Sequence, residues 1–120
     1  MEARVSMDHR KFPRVCPAVN EVIEVQLMGL NFLEILNAKD ISIGGVAVEV
    51  PHLFEGCDLN SPIQMILTLP GRNPLKLSGK VKRKVAAPKA SLFGVEFSSL
   101  DAKAKYWIES YIQSRVQMAS

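Results

Sequence analysis

Two arginines four residues apart, in Arg10-Lys11-Phe12-Pro13-Arg14, precede a second polar run, Asp40-Ile41-Ser42-Ile43-Gly44-Gly45. The planar guanidinium fork binds phosphate oxygens in pairs, takes guanine O6 and N7 together, and stacks flat on a base. A lysine point charge reproduces none of these. In an extended segment, residues four apart face one side at roughly 13 Å, so Arg10 and Arg14 can embrace one ligand. Asp40 and Ser42, two apart on a strand end, share a face; there a carboxylate accepts from base N–H groups and a hydroxyl donates or accepts. Gly44 and Gly45 are expected to turn the backbone with positive φ and to admit close approach by a ligand or by the arginine segment. This is the chemistry of a binding site, not of a catalytic one.

Each motif has a plainer reading. Arg-x-x-x-Arg occurs by chance in solvated basic tails, and Asp-x-Ser-x-x-Gly occurs in Asx and Ser turns that lead into strands. Asp8, His9 and Cys16 do not assemble a catalytic group, since the sequence shows no oxyanion donor or orienting partner for them. His52 reads as a loop residue. The stripe Lys76, Lys80, Lys82 and Lys84 suits a phosphate backbone, but its ordinary reading is a solvated strand face that charge protects from edge pairing. The chain is therefore not expected to be an enzyme.

The elements that must position these residues follow from periodicity. Ile23, Val25 and Leu27 alternate with Glu24 and Gln26, Gly29-Leu30-Asn31 offers a turn, and Phe32 to Ala38 makes the second arm of a hairpin. Val46, Val48 and Val50 form a third strand that Pro51 ends. Pro62 to Leu69 forms a fourth, and Pro70-Gly71-Arg72-Asn73-Pro74 is a strong turn. In the fifth, Leu75, Leu77, Gly79, Val81 and Val85 share one face and lysines the other. Leu92 to Phe97 is the sixth. Arg83 stands on the apolar phase of the fifth strand, where a buried charge needs a partner. Either the strand has reached the barrel rim and the side chain snorkels to water, or it stacks on a ligand base.

Six short strands with no helix between them predict an all-β fold, a six-stranded antiparallel barrel that removes its own edges. The period then changes. Leu100, Ala104, Trp107, Ile108, Tyr111, Ile112 and Val116 make one helical stripe, with Ser98 and Asp101 read as a capping box. This C-terminal α-helix is expected over about residues 99–117, to cover the barrel wall or an open end. Residues 1–9 are expected to be a flexible leader and residues 10–120 a single domain, with the barrel over about 20–97.

Bulk composition agrees. The 120 residues are 48% hydrophobic and 22% charged, with a net charge of +3. That mildly favours an anionic partner and is too small to imply genomic nucleic acid. Cys16 and Cys57 have no metal-ligand spacing and read as reduced thiols, so no metal or cofactor is expected. The residues near Met1 break any signal-like apolar run, and the expected location is the cytoplasm, with no membrane partner.

With these motifs and this strand order, the chain resembles the PilZ family of bacterial signalling domains. The matching residues are Arg10 and Arg14, then Asp40, Ser42 and Gly45, then Gly94-Val95-Glu96-Phe97, then the helix from Leu100. The resemblance implies a receptor for the second messenger cyclic di-GMP. Arg10 and Arg14 would grip its phosphates and guanine, and Asp40, Ser42 and Gly45 would meet a base. His9 stands where ligand-binding relatives often carry a second arginine linked to binding a stacked ligand dimer, so stoichiometry stays open. Similar domains often carry an aromatic near Arg83. The leader would fold over the ligand and change the face shown to an unidentified downstream protein. One alternative is a PilZ-type adaptor that contacts partners without nucleotide through Trp107, Tyr111 and Ile112. Another is a nucleic-acid-binding barrel, which the 7% aromatic content disfavours.

Overall fold

A computed structural model describes residues 13–51, 57–86 and 90–119. Six strands precede one helix: β1 (Glu24–Met28), β2 (Leu33–Ser42), β3 (Gly45–Val50), β4 (Pro62–Thr68), β5 (Leu75–Val85), β6 (Ser91–Ser99) and α1 (Ala102–Ala119). The strands close into an antiparallel barrel in the order β1-β2-β3-β6-β5-β4. Alternation set the inner face: Ile23, Val25, Leu27, Val46, Val48, Met65, Leu67 and Val81 are almost fully buried inside.

The turns follow their residues. Met28 pairs with Leu33 and Gly29 N–H donates to the Phe32 carbonyl at 3.0 Å, closing the first hairpin. Leu69-Pro70-Gly71-Arg72 has Gly71 at φ 71° and an Arg72 N–H to Leu69 carbonyl bond of 3.1 Å, the pattern of a type II turn. Among the described glycines this is where positive φ occurs, and not at Gly44 or Gly45 as expected. The Asp40 to Gly45 run is likewise not all turn. β2 continues through Ser42, and Ile43 and Gly44 alone form the loop.

The helix starts later than its pattern predicted. Ser98 belongs to β6, and Asp101 itself is the cap: its Oδ1 accepts from Ala104 N–H at 2.7 Å. Ala104, Ile108 and Ile112 are buried, and burying Ile108 contributes about 1.5–3 kcal/mol. Leu100, Trp107 and Tyr111 pack on the core from its edge. The Arg72 guanidinium sits 4.4 Å from the Trp107 ring centroid, so the β4–β5 turn also holds the helix. Val116 is 44% exposed because the buried stripe ends at Ile112. The face suggested for an adaptor is thus engaged with the chain's own barrel.

Candidate ligand-binding groove

The site is built where two strands break their alternation. β2 pairs with β1 only as far as Asn37, and its edge beyond is taken by residues 13–22 ahead of β1, the described leader segment. Val15 and Ile41 exchange both backbone hydrogen bonds, each 2.9 Å. Between Ala38 and Asp40 the register against β3 slips, leaving Lys39 as the extra residue of a bulge. The slip moves Ile41 into the core and turns Asp40 and Ser42 outward, beside the leader.

Arg14 then falls directly onto that pair. Its Nε and Nη2 both reach Asp40 Oδ1, at 2.7 and 2.6 Å, and its Nη1 donates to Ser42 Oγ at 3.1 Å. Ser42 is 3% exposed although its phase is outward. Its hydroxyl also accepts from Gly44 N–H at 3.1 Å, so one side chain closes the β2–β3 turn and seats the arginine. A guanidinium has five N–H donors. Asp40 and Ser42 engage one on each nitrogen, and among the described residues each terminal nitrogen keeps one donor unengaged.

A second bulge forms the opposite wall. β5 and β6 slip between Val81 and Arg83, with Lys82 as the extra residue. Val81 stays in the core, and Arg83 turns outward opposite Gly94. Register places Asp40, Ala47, Gly94 and Arg83 in one outward row across β2, β3, β6 and β5. Two small residues in the middle make a floor, and the charged ends make walls. The result is a groove of about 460 Å³ lined by Arg14, Ser42, Gly44, Gly45, Val46, Ala47, Lys82, Arg83, Gly94, Val95 and Glu96. Three cations against Glu96 give it a positive balance, suited to an anionic ligand.

Of the expected site residues, Arg14, Ser42, Gly44, Gly45 and Arg83 therefore converge on one groove, and Asp40 supports Arg14. Arg10 and His9 lie outside the described residues, as do the leader assigned to residues 1–9 and His52. Two of these residues stand where they do for reasons other than those expected. Gly45 answers to steric closeness and not to a turn: a Cβ there would overlap the carbonyl oxygen of Val95. Arg83 is off the apolar phase because of the bulge and not because the barrel ends, and Val85 beyond it is 43% exposed. Arg14 is held in place by the paired Val15 and by the ion pair with Asp40.

Sequence reading missed Lys82, Ala47 and Glu96 as lining residues. Lys82 was grouped with a lysine stripe, and only the bulge at that residue distinguishes it. It also donates to Asn60 Oδ1 at 3.3 Å; Asn60 has φ 66°, in the left-handed region that asparagine tolerates. Among the described residues no cluster of His, Cys, Asp or Glu has the arrangement of a metal site. No described helix is long and apolar enough to cross a membrane.

The closed barrel with its helix and this arginine-lined groove define a small β-barrel domain with a cationic groove. The PilZ domain model matches residues 8–114, and the chain belongs to that family. No curated protein matches it. Among solved structures, K. pneumonia MrkH in its c-di-GMP complex has a TM-score of 0.83 at 16% identity, covering 92% of this chain and 53% of MrkH. The Bacillus subtilis inhibitor of motility MotI/DgrA has a TM-score of 0.76 at 19% identity, with coverage of 92% and 53%. The PilZ domain of Escherichia coli YcgR with c-di-GMP has a TM-score of 0.74 at 13% identity, with coverage of 92% and 94%. The chain thus spans about half of MrkH and MotI/DgrA, and at these identities the likeness is one of fold.

Proposed function

We propose that this chain is a cyclic di-GMP receptor of the bacterial cytoplasm that carries out no chemistry and signals through a protein partner. The observation that carries the reading is the Arg14 guanidinium, seated on Asp40 and Ser42 at the side of a groove that Lys82 and Arg83 close opposite. Preorganisation matters here. A free arginine loses rotamer entropy on binding, whereas one already held by two partners loses less, and affinity rises accordingly. Family membership and the likeness in fold to MrkH and the YcgR PilZ domain, both solved with c-di-GMP, support the choice of ligand.

In this reading Arg14 and Arg10 take phosphate oxygens and a guanine edge, and Arg83 stacks on or pairs with the same ligand from β5. Asp40 and Ser42 meet a base with the acceptor sites that Arg14 leaves to them, and Gly44 and Gly45 keep the groove open. The groove lies within the roughly 300–1,000 Å³ range of small-molecule sites. Ligand held by the leader and β2 together would change the surface shown to the downstream partner.

Calorimetric titration tests the proposal and reports stoichiometry at once. Cyclic di-GMP is expected to bind, GTP and cyclic di-AMP to bind far more weakly, and Arg14→Ala and Asp40→Ala each to lower affinity by about tenfold or more. No heat and no thermal shift at millimolar cyclic di-GMP would end the reading.

A further inference from the structure

The leader segment that presents Arg14 is fastened, from two residues further on, to the C-terminal helix. Arg115 Nε donates to the Cys16 carbonyl at 2.9 Å. Tyr111 Oη donates to Glu21 Oε1 at 3.0 Å, and the same oxygen accepts from Ala18 N–H at 3.3 Å. Glu21 N–H closes the turn onto the Ala18 carbonyl at 2.9 Å. Cys16 follows Arg14 by two residues, with Val15 between them bridged to Ile41. A segment this short has no slack, so displacing its Cys16 end displaces the backbone that carries the guanidinium. Neither Arg115 nor Tyr111 lines the groove.

We infer that Arg115 and Tyr111 are positioning residues for the binding site: α1 holds the leader so that Arg14 stays seated on Asp40 and Ser42. The apparent dissociation constant is the intrinsic one divided by the fraction of molecules with a competent site. Loosening α1 lowers that fraction without removing any ligand contact. Linkage makes the effect reciprocal, so a ligand that grips Arg14 tightens the hold of the leader on α1. The helix that packs on the barrel is thereby also the element through which occupancy of the groove reaches the surface that α1 presents.

The ligand arm of the test rests on the receptor reading above, and the exchange arm does not. Titration of the full chain with cyclic di-GMP is expected to show affinity about three- to tenfold weaker in Arg115→Ala and about threefold weaker in Tyr111→Phe. Arg115→Lys should recover most of the loss, because an ammonium can still donate to the Cys16 carbonyl. Combined with Arg14→Lys, which keeps a cation but not the fork, Arg115→Ala should add less than its effect alone. In the ligand-free protein, the Val15 amide should exchange several-fold faster in Arg115→Ala, while the Val95 amide in the barrel keeps its rate. Unchanged affinity, fully additive losses, or an unaltered Val15 rate would each overturn the inference. If the wild type takes up no cyclic di-GMP, the receptor reading alone fails, and the Val15 rate still decides the positioning role.

Discussion

Gly45 and Gly94 line the same groove from adjacent strands, yet a methyl group meets different surroundings at each. At Gly45 the new Cβ would overlap the Val95 carbonyl oxygen, a backbone atom that cannot swing aside. Gly45→Ala should therefore destabilise the fold by about 1–3 kcal/mol, read as a lower denaturant midpoint at unchanged slope. At Gly94 the nearest atom would be Arg83 Cβ at 3.4 Å, an ordinary contact. Gly94→Ala should leave stability within about 0.5 kcal/mol and weaken cyclic di-GMP binding, because the methyl stands on the groove floor. Equal stability losses in both variants would refute this division between a glycine kept for strand packing and one kept for the ligand.

α1 depends on a polar clamp as well as on its buried stripe. Burial, then the bond to Glu21 and that carboxylate's charge, push the Tyr111 phenol well above its ordinary value. A folded pKa above the unfolded one, about 10, means that the contribution is fully present below pH ~10. It is lost as pH rises through the folded value. The wild-type denaturant midpoint should therefore fall more steeply above about pH 10 than that of Tyr111→Phe, and parallel curves would remove Tyr111 from the linkage. What the sequence could show of these elements divides the same way. Strand alternation and the helical stripe were legible because Val46, Val48, Ile108 and their like serve one large core, and every position repeats the signal. The bulges at Lys39 and Lys82 were not, because an extra residue is defined only against a partner strand. Thus Arg14, Asp40 and Ser42 were found as residue types, while Arg83 was placed on the wrong face and Lys82 in the wrong group. The cap moved from Ser98 to Asp101 for a related reason: β6 outlasted its apolar pattern, and strand pairing took the serine.

The two thiols report on the molecule as a whole. Cys16 is exposed and Cys57 buried, at 1% exposure. Burial raises the Cys57 thiol from its ordinary value; Lys84 draws it down and Asp58 adds to the rise, with burial the largest influence. Since the thiolate is the reactive form, Cys57 is shielded both by packing and by protonation. Cys16 should react with a thiol reagent in the native state, and Cys57 only in molecules that open. In a Cys16→Ser background, the labelling rate of Cys57 then measures the free energy of that opening, and a urea dependence equal to the global slope identifies it as complete unfolding. A ligand that binds the native state alone lowers the open population by the factor 1 + [L]/Kd. At 100 times its dissociation constant, cyclic di-GMP should slow Cys57 labelling about 100-fold, equivalent to about 2.7 kcal/mol and a melting shift on the order of 10 °C. Arg14→Ala should abolish most of the slowing while changing the ligand-free rate far less. If Cys57 reacts with the global urea slope but at the same rate with and without saturating ligand, the groove does not hold the dinucleotide.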